Sequence, residues 1–313
     1  MTRVATMLFT ACPFVCGFTG EESKSEFVVR SEQAMQLVVS ECPVAPGAVQ
    51  ILPISHQTSF LEWDEIHIDE TRQLILDVVH IWEQKGIKDY LIYGKATSDS
   101  EFGWEVVPYR KEGGRLWKQF KVLWNIVFGG ACVSSDEREK VIEDLKKDQI
   151  ERAEMIKKVT VGNDPFCDPK VIQKQLVFSG KTINVLYNYA PIAFGEEKLH
   201  FLFVPKEHRE RFSDLTAEEY LESIQLSQKI IKFYQNKGYS TAYLFDKTGA
   251  EAGQTVPHWH EHLVFAATKT QDIFSKFMVL KNMLIGSSPL SQEELQGRVK
   301  RLQEELSSSI DSK

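Results

Sequence analysis

The sequence lacks a long apolar run and an excess of positive charge. None of its apolar runs approaches the roughly 20 residues that span a bilayer, so we expect no membrane partner for this chain of 313 residues. Lysine and arginine total 37 against 44 aspartates and glutamates, a net charge of −7. That balance argues against a protein that neutralises many nucleic-acid phosphates. A small anionic ligand held by backbone amides is compatible with it.

Cysteine is also scarce. Five cysteines, an odd number thinly spread, do not predict a disulfide framework, and we expect a reduced, cytoplasmic protein. Cys12, Cys16 and Cys42 leave open a metal-binding alternative, although their spacing is a weak signal for a zinc site. The apolar stretch before Cys12 resembles a short signal sequence, but the repeat described next explains it better.

An internal repeat organises the chain. A shift of 152 residues aligns 53–86 with 205–238 without gaps, and eight of these 34 positions are identical. Unrelated sequences would share about two. The identical pairs are Pro53/Pro205, His56/His208, Phe60/Phe212, Glu70/Glu222, Gln73/Gln225, Leu74/Leu226, Lys85/Lys237 and Gly86/Gly238. The same shift pairs Cys12 with Asp164, so the N-terminal segment is expected to begin the first copy.

Each copy predicts a strand, an amphipathic helix ending at Gly86 or Gly238, and further strands. This order is typical of an α+β fold in which an antiparallel sheet packs against helices. We expect one domain at 1–130, a helical linker at 131–160, a second domain at 161–270 and a helical tail at 271–313. The charged stretch 134–159 and the polar stretch 292–306 are expected to form solvated helices.

Three of the eight histidines lie at alternate positions, His258, His260 and His262, just before an apolar stretch. In a strand such side chains share one face and are spaced by about 6.6 Å. The small-residue loop at 249–255 would let backbone N–H groups approach an anion. The spacing fits two chemistries equally well: an imidazole nucleophile that attacks phosphorus, and a zinc site of the His-x-His type.

Residues 253–264 match the pattern His-φ-His-φ-His-φ-φ, in which φ is apolar, and supporting motifs lie at 164–169, 187–191 and 204–215. On these motifs the chain resembles the histidine-triad (HIT) superfamily. The resemblance covers about 110 residues of the second copy well and, through the repeat, the first copy weakly. It implies two tandem HIT-like domains, the first degenerate, that form an intramolecular pseudo-dimer in a monomeric chain.

The resemblance also implies roles for individual residues. His260 would attack the α-phosphate, His262 would contact phosphate and help the leaving group depart, and His258 would orient His260 through a hydrogen bond. The remaining residues would bind the nucleotide: Gly253, Gln254, Thr255 and Lys247 near its phosphate, and Asn188 at the ribose hydroxyls. No cofactor and no metal are expected.

Several positions depart from the family pattern. Glu261 replaces an apolar residue, Glu196 stands where many members carry a supporting histidine, and Asp164 replaces the first cysteine of a Cys-x-x-Cys pair, which argues against a structural zinc. His56 and His208 occur in both copies, so a structural role at a strand–helix junction is expected for them. In the first copy, 108–113 aligns with 257–262 and holds no histidine, which predicts an inactive domain.

The function implied by the resemblance is that of a nucleotide hydrolase with a nucleotidyl-histidine intermediate. Nucleoside phosphoramidates or dinucleoside polyphosphates would be its substrates, because His262 occupies the third triad position, as in the hydrolase branches. One alternative is a nucleotidyltransferase or phosphorylase related to galactose-1-phosphate uridylyltransferase or diadenosine tetraphosphate phosphorylase. The other is a nucleotide-binding protein without turnover. In each case the partner is a small-molecule nucleotide.

Overall fold

A computed structural model of the chain describes residues 27–55, 58–97, 101–130, 132–147, 164–192, 197–266, 281 and 286–310. In the first half, helix α1 (Glu65–Gln84) lies between the third and fourth strands, and helix α2 (Arg115–Phe128) follows the fifth. The strands are β1 (Val28–Ser31), β2 (Met35–Val38), β3 (Val49–Pro53), β4 (Asp89–Thr97) and β5 (Trp104–Tyr109).

Helix α3 (Ser135–Lys147) follows α2 and packs against β1 of the first half, and the second half then repeats the order of the five strands. Its strands are β6 (Leu176–Ser179), β7 (Ile183–Tyr187), β8 (His200–Pro205), β9 (Thr241–Thr248) and β10 (Glu261–Ala266). Its helices are α4 (Pro169–Gln175) before β6, α5 (Ala217–Gln235) between β8 and β9, and α6 (Gln292–Ile310) after β10. The α+β class predicted from the sequence is confirmed.

The ten strands form one antiparallel sheet in the order β1-β2-β3-β5-β4-β9-β10-β8-β7-β6. The two halves meet at the centre, where β4 pairs with β9 over eight residue pairs from Tyr90↔Thr248 to Thr97↔Thr241. Reading outward from this seam gives the order β4-β5-β3 on one side and β9-β10-β8 on the other. The sheet therefore has the arrangement of a pseudo-dimer within one chain.

Helices α1 and α5 occupy equivalent places and begin with side-chain caps. Asp64 accepts hydrogen bonds from the first backbone N–H groups of α1, and Thr216 forms a capping box with Glu219 at the start of α5. Gly86 and Gly238 follow the helices with φ of +79° and +91°, a left-handed conformation that glycine adopts without steric cost. Both helix ends thus lie where the repeat predicts them.

The repeat also preserves a polar contact. The carboxylate of Glu70 on α1 accepts hydrogen bonds from the backbone N–H groups of Gln33 and Ala34, in the turn after β1, and of Met35, the first residue of β2. Glu222 on α5 accepts equivalent bonds from backbone N–H groups of 181–183 between β6 and β7. The identical glutamates of the repeat therefore bind equivalent backbone N–H groups in each half.

The two faces of the sheet carry separate cores. On one face, α1, α3, α5 and α6 pack in the large core with buried residues such as Trp104, Leu244 and Leu263. On the other face, Val122 of α2 packs with Val44, Phe245 and Val264. Helices α3 and α6 were expected to be solvated, but each buries one apolar side. The buried residues are Ile142, Leu145, Leu295, Val299, Leu302 and Leu306.

Cys42 and Cys132 form a disulfide, which corrects the expectation that the cysteines are reduced and removes Cys42 from the candidate metal ligands. The bridge joins the segment before β3 to the segment after α2. Cys12, Cys16, His56 and Glu196 lie outside the described residues. Among the helices that are described, none has the length and apolarity needed to cross a membrane.

Candidate active site

The three histidines of the motif lie at the start of β10, but they do not form one group. His262 lies within β10, whereas His258 and His260 lie on its approach. The ring centroids of His260 and His262 are 4.8 Å apart. The ring of His258 instead contacts Asp164 and the carbonyl oxygen of Pro205. The expectation that all three imidazoles act on one surface therefore holds for the last two only.

His260 is held with one ring nitrogen free. Its Nδ1 lies 2.7 Å from the backbone carbonyl oxygen of His258, and because a carbonyl only accepts, Nδ1–H is the donor. Burial lowers the pKa of His260 to about 4, so the ring is neutral near pH 7 and Nε2 carries the lone pair. His258 was expected to orient His260 by a hydrogen bond. The bond exists, but it comes from the His258 backbone.

A fourth histidine, His200 on β8, fixes the tautomer of His262. The N–H of Ile192 donates to His200 Nδ1 at 3.0 Å, which leaves the His200 proton on Nε2. His200 Nε2 then donates to His262 Nδ1 at 2.8 Å, so the proton of neutral His262 is on Nε2. Burial lowers the pKa of His200 to about 3 and that of His262 well below its usual value. His262 thus presents an N–H donor beside the free nitrogen of His260.

His200 was not predicted from the sequence, in which the supporting histidine was expected at position 196. A signal for it was present. His200 is a polar residue in the apolar run from Leu199 to Val204, and it is almost fully buried at 1% exposure. A buried histidine in a strand needs a hydrogen-bonding partner, and the partner here is a second imidazole.

Lys247 and Phe245 lie on the same side of the sheet as His262. The ring of Phe245 stacks on His262 with centroids 4.5 Å apart, and Lys247 Nζ lies 5.9 Å from the Phe245 ring. Burial lowers the pKa of Lys247 to about 8. A buried amine is stabilised by a neighbouring anion, and the contact of Lys247 with phosphate stays a prediction.

Asn188 is close to the histidines, but its amide already has protein partners. Its Nδ2 lies 3.3 Å from both ring nitrogens of His200, and its Oδ1 accepts from the N–H of Ala190 at 2.9 Å. The predicted contact with ribose hydroxyls would have to share or replace these bonds. In the present arrangement Asn188 packs against the His200 ring.

The loop at 249–255 turns at Gly249 and Gly253, whose φ values of +86° and +92° favour glycine. The side chain of Gln254 was expected to bind phosphate, but it closes the loop: its Oε1 accepts from Gly249 N–H at 2.8 Å and its Nε2 donates to the carbonyl of Glu210 at 3.0 Å. Thr255 is exposed. Thr255 therefore remains a candidate phosphate contact, whereas the Gln254 side chain serves the loop.

A second cluster lies beside the triad. Asp164, Cys167, His208 and His258 each place one ligand atom within 4.8 Å of the other three. Asp164 Oδ2 is 2.8 Å from His208 Nδ1, 2.7 Å from His258 Nδ1 and 3.1 Å from Cys167 Sγ. Of the three motif histidines, this cluster includes only His258. The His208 side chain, which was expected to be structural, contributes a ring nitrogen to it.

The hydrogen bonds around His258 show that the cluster suits a cation. Its Nε2 lies 3.1 Å from the Pro205 carbonyl oxygen and must donate there, so in a neutral ring the lone pair of Nδ1 faces the Asp164 carboxylate. Burial lowers the pKa of His258 against the opposing effect of Asp164, which disfavours an imidazolium. A divalent metal ion with two imidazoles, a thiolate and a carboxylate as ligands would satisfy all four groups. Asp164 thus does not exclude a metal, contrary to the sequence expectation.

Glu261 points to the opposite face of the sheet, as predicted, and is buried with a second acid. It accepts a hydrogen bond from Ser227 Oγ on α5 at 3.0 Å, and it lies directly across from Asp246 in the register of β9 and β10. Burial raises the pKa of Glu261 to about 8 and that of Asp246 well above its usual value. These acids face away from the triad and do not belong to the site.

Among the described residues of the first half, the positions equivalent to the triad carry no histidine, and the register of the sheet shows where these positions lie. The shift of 152 residues makes Gly94 on β4 equivalent to Asp246 on β9. Gly94 pairs with Trp104 and Asp246 pairs with Glu261, so Trp104 is equivalent to Glu261. By the same count Gly103 is equivalent to His260 and Glu105 to His262. The expected alignment of 108–113 with the triad is therefore wrong.

Comparisons with known proteins match the segment that contains the histidine motif. Residues 170–268 match the HIT domain family. A bis(5'-adenosyl)-triphosphatase of Saccharomyces cerevisiae is 32% identical over 98 residues, which are 30% of this chain and 45% of that protein. The chain thus spans less than half the length of this curated relative.

Two solved structures from Arabidopsis thaliana share the fold over most of the chain. An ADP-glucose phosphorylase with bound ADP-glucose is similar with a TM-score of 0.52 at 10% identity, covering 85% of this chain and 82% of its own. A GalT-like protein is similar with a TM-score of 0.53 at 12% identity, covering 89% and 87%. The shared fold extends over both halves, and the match to the HIT domain family covers residues 170–268.

Proposed function

We propose that the protein is a nucleotide hydrolase that acts through a nucleotidyl intermediate on His260. Its substrates would be nucleoside phosphoramidates or dinucleoside polyphosphates. The observation that carries this proposal is the hydrogen bond from His260 Nδ1–H to the His258 carbonyl, which directs a neutral, unprotonated Nε2 away from the backbone. The similarity to a bis(5'-adenosyl)-triphosphatase over the HIT domain supports the same class of substrate.

In the first step His260 Nε2 attacks the α-phosphorus. A nitrogen–phosphorus bond forms and the bond to the leaving group breaks. His262 Nε2–H, kept in that tautomer by His200, donates a hydrogen bond to the departing oxygen or nitrogen, and a leaving group that needs a proton takes it from solvent. Lys247 lies on the same side of the sheet, where its positive charge would offset the charge on the phosphate oxygens.

In the second step water attacks the phosphorus of the nucleotidyl-histidine. The nitrogen–phosphorus bond breaks and His260 leaves as a neutral ring. The proton lost by the attacking water passes to solvent, so the nucleoside monophosphate is released and both histidines are again in their starting tautomers.

The metal suggested by the neighbouring cluster would be held by Asp164, Cys167, His208 and His258. With four protein ligands it would fix the backbone at His258, whose carbonyl orients His260, rather than meet the substrate.

The test is an intact-mass measurement after brief incubation with a panel of dinucleoside polyphosphates and nucleoside phosphoramidates. We expect a mass increase of one nucleoside monophosphate residue in the wild type. The same adduct should be absent from His260→Asn, which removes the nucleophile and keeps a side chain of similar size. Turnover without dependence on His260 would refute the proposal, and tight AMP binding without turnover would favour the binding-protein alternative.

A second candidate is a phosphorylase that transfers the nucleotidyl group to phosphate. It is favoured by the similarity to an ADP-glucose phosphorylase over 85% of the chain, where the hydrolase relative matches only 30%. Product analysis with and without inorganic phosphate separates the two candidates. Hydrolysis gives AMP in either condition, whereas phosphorolysis of ADP-glucose gives ADP and requires phosphate.

A further inference from the structure

The loop that carries Gly253 and Thr255 is held by side chains from the other half of the chain. The N–H of Glu251 donates to Asp89 Oδ2 at 2.6 Å, and Gln119 Nε2 donates to the Glu251 carbonyl at 2.8 Å. Lys118 Nζ forms an ion pair with Glu251 Oε2 at 2.6 Å. Asp89 begins β4, and Lys118 and Gln119 lie on α2. Two elements of the first half therefore meet at a single loop residue of the second.

The same side chains fit closely against the two turning glycines. A Cβ atom on Gly249 would lie 2.3 Å from the carboxyl carbon of Asp89, and one on Gly253 would lie 3.2 Å from Gln119 Nε2. Gln119 is itself buried, at 9% exposure. Asp89 and Gln119 thus fill the space that side chains on these glycines would take, and they match the loop in its present conformation.

The first half also supports the other end of the loop. Gln254 ties the loop to the carbonyl of Glu210. Arg211, which follows Glu210 in the chain, donates from its guanidinium to the carbonyl of Lys88 at 3.0 Å and forms an ion pair with Glu83. Lys88 directly precedes Asp89, so one segment of the first half contacts the loop and the backbone on which the loop rests.

We propose that Asp89 and Gln119 are positioning residues for nucleotide binding. The degenerate first half sets the loop conformation in which the second half binds a nucleotide phosphate beside His260. Neither side chain needs to touch the substrate, because both act through the backbone of Glu251. This inference rests on the proposed function and assigns a role to a half that lacks a triad of its own.

The test compares Asp89→Ala with Asp89→Asn, and Gln119→Glu with the wild type, in the full-length protein. Asp89→Ala removes the acceptor for Glu251 N–H, and Gln119→Glu replaces a donor to a carbonyl with a carboxylate of the same shape. For both variants we expect kcat/KM on the best dinucleoside polyphosphate to fall by about tenfold or more, mainly because KM rises. The affinity for AMP, measured by calorimetry, should fall by a similar factor. Asp89→Asn keeps an oxygen acceptor and should restore most of the loss.

Lys121→Ala is the matched control, because Lys121 is exposed on the same helix, and it should leave all values unchanged. Unaltered KM and AMP affinity in both Asp89→Ala and Gln119→Glu would overturn the proposal. Equal losses in Asp89→Ala and Asp89→Asn would also overturn it, since they would indicate general destabilisation. If the wild type neither binds AMP nor turns over a nucleotide, the proposed function fails and this inference fails with it.

Discussion

The two halves of the molecule differ most in one connection of the sheet. In the first half six residues, 98–103, join β4 to β5, and in the second half twelve residues, 249–260, join β9 to β10. The longer connection contains the glycine loop and the first two histidines of the motif. The strands themselves keep the same order and register in both halves. The candidate site thus resides largely in a connection, and a shared sheet does not require a shared site.

The position of His260 shows how far the halves have diverged. Its first-half equivalent is Gly103, where a Cβ atom would lie 2.2 Å from Leu52 Cδ2 and 2.9 Å from the carbonyl oxygen of Ile51. The Leu52 side chain therefore fills the space that a nucleophile would need. The first half is incompatible with a triad on packing grounds, in addition to lacking its histidines.

The largest expected effect is on kcat, and it comes from separate substitutions at two equivalent positions, His262 and Glu105. His262→Asn should lower kcat by about 10²–10⁴-fold, because it removes the imidazole that donates a hydrogen bond to the leaving group. Substrates with leaving groups that depart unprotonated should lose less. Glu105→Gln at the equivalent first-half position should leave kcat unchanged. Steady-state kinetics on the two variants measures this, and a matching loss in Glu105→Gln would contradict the functional asymmetry of the halves.

An intermediate effect is expected at the Asp164 cluster. We expect purified protein to contain one zinc ion per chain by elemental analysis and His208→Ala to lose it. Breaking this buried network should lower the free energy of unfolding by about 3–5 kcal/mol. His80→Ala, at an exposed position on α1, should change neither value. The proposed metal site would be contradicted if the purified protein contains no metal and His208→Ala and His80→Ala have the same free energy of unfolding.

The smallest expected effect concerns Glu261, whose first-half equivalent is the buried Trp104. The pKa of Glu261 is raised by burial from 4.5 to about 8, so the folded protein holds this proton more tightly than the unfolded chain. The resulting stability is present below pH 4.5 and is lost as the pH rises to 8. Glu261→Gln should therefore stabilise the protein at pH 9 and have little effect at pH 4.

Urea denaturation of wild type and Glu261→Gln at the two pH values measures this difference. Glu293→Gln, an exposed glutamate on α6, provides the control and should show no pH-dependent change. Equal stability of wild type and Glu261→Gln at pH 9 would show that the buried acids carry no ionisation penalty.

Local sequence signals predicted the elements with their own periodicity and caps. Helix α5, its end at Gly238 and the position of the triad before β10 all follow from residues close together in the chain. The register of the first half did not follow, because the alignment of 108–113 with 257–262 made no allowance for the longer connection at 249–260. Only the pairing of Gly94 with Trp104 reveals the true equivalence.

The contacts that complete the site were not predictable from spacing. Asp164 lies 44 residues from His208 and 94 from His258, and nothing local indicates that three segments meet there. Likewise, the His200–His262 bond spans 62 residues. Each residue carried a weak signal alone, such as a polar side chain in an apolar run. The sheet order is needed to bring them together.

The seam between β4 and β9 has a consequence for how the protein responds to dilution. A homodimer that joined two such sheets would separate at low concentration, and its two chains would carry the same sequence. Here the linkage is covalent, so the pairing of the halves does not depend on concentration. Each half is also free to change without altering its counterpart, which allows one surface of the seam to specialise in chemistry and the other in support.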